Sequence, residues 1–142
     1  NFMFNENCNV SHTTYEVRDI TNKKIKIRKA RNFRNCSELL PSCDIGLSTV
    51  VVEKKIFKSD IRFSNQKTKE DFILWLTILK NNIQIIGFDK KLASRYLTKN
   101  SLSSSVIQKL RDGYFVYNRF MKFNFFKSLF FLFLLIFNSL FK

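Results

Sequence analysis

The sequence is short of glycine and proline. Three Gly and one Pro in 142 residues exclude collagen-like, mucin-like and Pro-rich chains. Acidic residues are scarce as well: 11 Asp+Glu stand against 25 Lys+Arg, giving a net charge of +14 and an isoelectric point near 10.0. There is one His, and the three Cys form no CxxC pair. Neither a zinc finger, a disulfide framework nor a Cys-His nucleophile is indicated. No tandem period is present, which argues against a solenoid. No charged stretch precedes an apolar one at the start, so no signal-peptide pattern is visible. The chain opens on Asn1-Phe2-Met3-Phe4 rather than on Met, and reads as a piece of a longer protein.

What is present is enough for one folded domain. A hydrophobic content of 45% beside 25% charge excludes a disordered chain. The basic excess favours phosphate-bearing partners: nucleic acid, anionic lipid head groups or nucleotide diphosphates. Composition supplies a competing reason. Phe, Lys, Asn and Ile all have AT-rich codons, so an AT-rich genome raises Lys at solvated positions without any function.

Local patterns predict the elements. Tyr15 and Val17 alternate with Glu16 and Arg18, and Ile25 and Ile27 with Lys24, Lys26 and Arg28. Thr21-Asn22-Lys23 supplies a turn, so Tyr15–Ile27 predicts a hairpin. Its basic residues, Arg18, Lys23, Lys24, Lys26, Arg28, Lys29, Arg31 and Arg34, read as a solvated strand face. They lack the interleaved aromatics of a platform for single strands. A short helix is expected over Cys36–Leu40, stopped near Pro41, and a buried strand over Ile45–Val52. One helical turn is expected over Lys54–Phe57 and a polar loop over Ser64–Lys69. Ile83–Gly87 and Leu92–Leu97 read as two short strands. Ser103–Phe120 reads as a helix with Val106, Ile107, Leu110 and Tyr114 on one face.

The strongest local signal is Thr68-Lys69-Glu70-Asp71, a capping-box pattern before the apolar run Phe72–Leu79. It predicts a buried helix from about Lys69 to Lys80, with Asp71 at its third position. Two carboxylates at a helix start serve either as caps or as a general base. N-terminal N–H groups favour the ionised form and lower its basicity, so a base there needs a partly buried site as an offset. At the other end, Leu129–Phe137 is nine apolar residues without interruption. At about 1.5 Å per residue it falls well short of a hydrocarbon core of about 30 Å. Phe125–Phe141 therefore predicts a helix lying at a membrane interface or packed on the domain.

The order of these pieces resembles glycosyltransferase family 2, in particular its non-processive bacterial members that decorate polysaccharides. The matching stretches are His12–Val17, Ser42–Val50, Lys67–Leu76 around Glu70-Asp71, Gly87–Ala93 and Lys99–Ser104, together covering roughly His12 to Lys122. The resemblance implies an α/β chain forming the C-terminal, acceptor-side part of a GT-A fold over residues 1–122. That part is a mixed sheet with flanking helices, followed by an apolar, membrane-interfacial helix over residues 123–142.

It implies Asp71 as catalytic base with Glu70 as its companion carboxylate. It implies an acceptor and sugar pocket bordered by Ile45, Gly46, Leu47, Ser48, Thr49 and Trp75, and phosphate contacts from Arg95, Ser101 and Ser103. Family members often read Tyr-Arg before the Asn-Ser-Leu-Ser block. Here the pair is Arg95-Tyr96, which puts the Arg contact in question.

The implied reaction is transfer from a nucleotide-sugar donor to a saccharide or lipid-linked acceptor in cell-surface polysaccharide synthesis. The implied location is the cytoplasmic face of the bacterial plasma membrane, bound peripherally, with no nucleic-acid partner. The intact enzyme is expected to use Mn²⁺ or Mg²⁺. The Asp-x-Asp that holds it occurs nowhere in this chain, and none of this chain's residues is assigned to the metal. The chain alone is therefore expected to be inactive. No QxxRW motif is present, which argues against a processive synthase. The alternative from charge alone is a small basic non-enzymatic protein that binds anionic membrane or nucleic acid.

Overall fold

A computed structural model describes residues 2–57, 60–97 and 106–141. The elements are α1 (Phe2–Asn5), β1 (Val10–Arg18), β2 (Lys24–Arg28), α2 (Cys36–Leu39), β3 (Val50–Val52), α3 (Glu70–Lys80), β4 (Ile86–Tyr96), α4 (Val106–Phe115) and α5 (Phe125–Phe141). The result is an α/β arrangement with a mixed, open sheet and flanking helices.

β1 is the middle of the sheet. His12 pairs with both Val50 and Gly87, and Tyr15 with both Arg28 and Ala93. β4 therefore lies along one edge of β1, in parallel, while β3 and β2 share the other edge end to end, both antiparallel. A parallel neighbour needs a long crossover, and the chain between β1 and β4 supplies it, carrying α3. The expected hairpin is present as the β1–β2 pair. The sheet has an open edge: among the described residues β4 pairs only with β1, and the isolated bridge of Phe33 to Ile85 falls just before β4 begins.

Three predicted elements change. Ile45–Val52 is not one strand; only Val50–Val52 pairs, and Leu47–Thr49 is a 3-10 turn. Thr49 closes that turn twice, donating from its hydroxyl (2.7 Å) and its N–H (2.9 Å) to the Gly46 carbonyl. The two short strands expected at Ile83–Gly87 and Leu92–Leu97 are one strand with irregular register. Phe88 faces Thr13, Lys91 faces Thr14 and Ala93 faces Tyr15. The extra residues are held by side chains: the Thr14 hydroxyl donates to Asp89 (2.6 Å) and the Lys91 ammonium to Glu16 (2.7 Å).

The third change is in α4, which gives way to a π-helical turn over Val116–Phe120. It buries Asp112, Gly113, Val116 and Tyr117 rather than the expected face; Ile107 is 80% exposed. An inward carboxylate, bonded to the segment before α3, sets that rotation. Residues 103–105 lie outside the described residues.

α3 is apolar on nearly every side, and Phe72–Leu76, Ile78 and Leu79 are all buried in one core with Val10, Phe33, Leu39, Ile45 and Ile85. α5 forms over the expected residues, with the Asn124 side chain capping it by accepting from the Lys127 N–H (2.9 Å). Its inner side joins the same core. Leu135 is buried, and Phe131 stacks on Tyr117 with ring centroids 5.7 Å apart. Asn138 donates to the Pro41 carbonyl (2.9 Å), and Lys26 to that of Ser139 (3.0 Å). Among the described residues no helix is long and apolar enough to cross a membrane.

Gly87 sits where β4 passes the Arg31 backbone. A Cβ there would lie 2.6 Å from the Arg31 nitrogen. Gly87→Ala should therefore force two backbone segments apart and cost about 1–3 kcal/mol. Gly46→Ala, which meets only the Tyr15 ring at 3.1 Å, should cost less. Thermal unfolding of the two variants checks the order.

Candidate active site

α3 begins with its two carboxylates at the first and second helical positions. Lys69 precedes them in a left-handed conformation (φ 70°), and no side chain caps the helix in the reciprocal way the sequence pattern predicts. The Thr68 hydroxyl is engaged elsewhere. It donates to the buried Asp112 carboxylate (2.7 Å), as does the Thr68 N–H (3.2 Å), and Gln108 adds a third donor at 2.8 Å. Asp71 instead accepts from the N–H of its neighbour Phe72 at 2.7 Å, so it satisfies a helix-start donor from the second position, not the third.

The Asp71 carboxyl is half-buried. Burial pushes its pKa up, and the charge of Glu70 adds to that. The Phe72 N–H, Lys69 and Arg95 act the other way and are outweighed. The offset that a base at a helix start requires is thus built in. Asp71 is a stronger proton acceptor than a solvated aspartate.

Several charged groups gather around it. Cys43 feels Asp71, Lys69, Asp44 and Arg28; burial first, then the two carboxylates, push its thiol up to about 12. Tyr15 is raised by burial and lies among Arg28, Arg95, Cys43 and Asp44. The sheet explains the gathering. Lys26, Val17 and Arg95 stand in one register row, and Arg28, Tyr15 and Ala93 in the next, so the cations flank two buried side chains on one face. Beside this row lies a cleft of about 260 Å³ lined by Ile27, Arg28, Lys29, Arg31 and Asp44. Asp44 takes ion pairs from Arg28 (3.3 Å) and Arg31 (3.4 Å) and a hydrogen bond from the Ser42 hydroxyl (2.7 Å).

The structure brings some of the sequence-predicted residues together. Glu70 and Arg95 both act on Asp71 electrostatically, in opposite directions. Gly46 rests against the Tyr15 ring in the same neighbourhood. Ile45 and Thr49 are buried, while Leu47 and Ser48 are exposed. Trp75 is 1% exposed within the core, and among the described residues its indole N–H has no acceptor. The all-apolar helix turns it inward. Ser101 and Ser103 lie outside the described residues. Arg28, Lys29, Arg31, Cys43 and Asp44 were not singled out from the sequence, because the hairpin's cations read as a solvated face. Cys8, Cys36 and Cys43 are free thiols. Among the described residues no three His, Cys, Asp or Glu side chains stand close enough to hold a metal.

Two curated proteins are similar to this chain. TuaG of Bacillus subtilis (strain 168), named as a glycosyltransferase of teichuronic acid biosynthesis, is 27% identical over 128 residues, covering 89% of this chain and 50% of TuaG. WfgD of Escherichia coli is named a UDP-Glc:alpha-D-GlcNAc-diphosphoundecaprenol beta-1,3-glucosyltransferase. It is 36% identical over 91 residues, 61% of this chain and 34% of WfgD. The chain spans at most about half the length of these relatives. No protein-family model matches it. No solved structure matches it. The chain is related to glycosyltransferases.

Asp71 and Asp112 carry opposite pH signatures. For Asp112, burial opposes ionisation, but the Gln108 and Thr68 donors outweigh it and hold its carboxyl below the ordinary value. Its contribution is present above that ordinary value and lost as pH falls through the lowered one. Asp71 is raised, so the folded state holds its proton longer than the unfolded chain, and stability falls as pH climbs from the ordinary to the raised value. Asp71→Asn should therefore melt no lower than the parent at pH 7, with any gain gone below the ordinary aspartate range. Asp112→Ala should lose about 1–3 kcal/mol at neutral pH, since it strands buried donors, and less in acid. Melting curves across pH 3–8 check both.

Proposed function

We propose that this chain is the acceptor-side part of an inverting hexosyltransferase of cell-surface polysaccharide synthesis. The observation that carries it is the half-buried Asp71 at the start of α3, raised in basicity by burial and by Glu70 with Lys69 and Arg95 in electrostatic reach, in a chain related to glycosyltransferases. In this reading Asp71 takes the proton of an acceptor hydroxyl. The freed oxygen pair attacks the anomeric carbon of the donor from the side opposite the nucleotide, forming the glycosidic bond. The bond from that carbon to the diphosphate oxygen breaks, and the nucleoside diphosphate leaves with the electron pair. Glu70 supports the electronegative side of the site and raises Asp71 further. Ile45–Thr49 borders the acceptor. The whole enzyme takes Mn²⁺ or Mg²⁺ on the donor diphosphate, with its main ligands in the length of the relatives that this chain does not span. By itself the chain is inactive.

The same reading places the protein peripherally on the cytoplasmic face of a bacterial plasma membrane. α5 supports this. Phe126, Phe130, Phe133, Phe137 and Leu140 recur at helical spacing along its outer side, and each is 47% exposed or more. Lys122 and Lys127 stand near one end. An aromatic stripe with flanking cations matches an interfacial helix on anionic lipid.

Transfer of labelled hexose by membranes from cells that make the whole enzyme, with this segment either as the parent or carrying Asp71→Asn, tests the chemistry. The variant should retain its fold and lose about 10²–10⁴-fold in rate. Normal transfer by a folded Asp71→Asn protein would show that Asp71 is only a helix-start acceptor. Carbonate or high salt should release the protein from the same membranes, whereas resistance to both would mark an integral anchor.

A further inference from the structure

The cationic cleft and the apolar helix are fastened to each other. Lys26, on the strand that forms one wall of the cleft, donates to the Ser139 carbonyl at the end of α5 (3.0 Å). Asn138, one residue earlier on α5, donates to the Pro41 carbonyl (2.9 Å), three residues before Asp44 on the opposite wall. The last turns of α5, which carry the exposed Phe137 and Leu140, are thus tied to the strand that carries Arg28 and to the segment that leads into Asp44. We propose that the cleft receives the diphosphate of a lipid-linked acceptor, whose lipid chain lies along the outer face of α5.

The chemistry of the two surfaces selects this ligand. Three cations face one carboxylate in the cleft, leaving an excess positive charge that a single phosphate or diphosphate answers. Two of the three are Arg, whose planar N–H forks match phosphate oxygens in pairs. Arg28 and Arg31 reach Asp44 only at 3.3 and 3.4 Å, which are long contacts for charge-assisted hydrogen bonds. Arg31 is held in place by its guanidinium lying over the Phe33 ring, 4.5 Å from the centroid, and by donating to the Glu38 carbonyl and the Ser42 hydroxyl. A soluble saccharide stacks on single rings but has no use for an apolar stripe that runs the length of a helix and ends on Leu140, and a simple anionic bilayer has no use for a 260 Å³ cleft. A diphosphate on a long apolar chain uses both. It would also sit near the candidate base, because Cys43, beside Asp44, feels both Arg28 and Asp71.

This rests on the transferase reading for its biological meaning, but its test reads binding alone. The full chain is mixed with neutral phosphatidylcholine vesicles doped with polyprenyl diphosphate or, at equal surface charge, phosphatidylglycerol. A preference of about tenfold or more for the diphosphate vesicles is expected. Lys29→Gln and Arg31→Gln should each remove most of that preference. Lys23→Gln, the same charge change at the hairpin turn, should weaken both vesicle types alike. Phe130→Ser and Phe137→Ser should weaken binding to the diphosphate vesicles while leaving binding of inorganic pyrophosphate unchanged. Lys29 is exposed at the surface, so its variant keeps the fold even if Arg31→Gln melts early. Equal binding to the two vesicle types, or a preference that Lys29→Gln leaves intact, overturns the proposal. Pyrophosphate bound as tightly as the lipid overturns the role of α5. A diphosphate preference without any sugar transfer in membranes would count against the transferase reading only.

Discussion

Everything in this structure hangs on β1 having a partner on both edges. A strand paired on one side exposes a row of donors and acceptors; β1 exposes none of consequence, because β4 runs along one edge and β3 and β2 divide the other. That division makes it the most deeply buried strand, and it has to bury polar side chains with it. Three of them find partners, though among the described residues His12 Nδ1 is left without one. Thr14 reaches Asp89 and also accepts from the Ala30 N–H (2.9 Å). Glu16 takes Arg18 and Lys91, and His12 donates from Nε2 to the Arg31 carbonyl at 2.8 Å. These side-chain bonds do more than satisfy buried groups. They bring the 28–33 segment and β4 into register with β1, and so place Arg28, Arg31 and Arg95 on their side of the sheet.

The sequence was legible where a single period governed a segment. The hairpin alternates at period two, and the buried helix is apolar all round, and both appear as read. α5 was legible for the same reason. Legibility failed where a long-range hydrogen bond decided the matter. The Thr68 hydroxyl had two suitors, its own helix and a carboxylate 44 residues away, and nothing local reveals Asp112. The same carboxylate turned α4, so that the apolar stripe read from Ile107 and Leu110 faces out. The irregular middle of β4 was read as a connection because Asp89-Lys90-Lys91 is polar; the acceptors and donors that hold it lie on β1.

The site was legible in part, and the missing part has one cause. Asp71 and Glu70 stand out because a helix start concentrates them, and the resemblance to a known family added Arg95. The cations of the cleft belong to a hairpin whose pattern is that of any solvated β-ribbon. Only tertiary structure shows that the Arg28 end of it turns toward Asp44 while the Lys23 end does not. Charge content alone cannot separate the two ends. The register does, by setting Arg28 opposite buried Tyr15 and Arg18 opposite Lys24 at the open end.

The electrostatics of the site are a balance between burial and cations. Burial raises Asp71, while Lys69 and Arg95 pull it back. Neither alone would suit a base near neutrality: an aspartate with burial unopposed would hold its proton, and one among cations in open water would be too weak to take one. Of the two cations, Lys69 comes from the cap of α3 itself and Arg95 from β4 through its register with β1, so the second influence is set by a part of the fold independent of the helix. α5 then does more than complete the core. Its last turn is tied to Lys26 and Pro41, so the apolar surface is fixed relative to the cationic row, and a ligand spanning both would meet them at a set distance. A helix present only to complete the core would need just its inner side of Phe131, Leu132 and Leu135. The outer aromatic stripe contributes nothing to that core, and exposing it in water is unfavourable. The proposed lipid contact rests on that stripe.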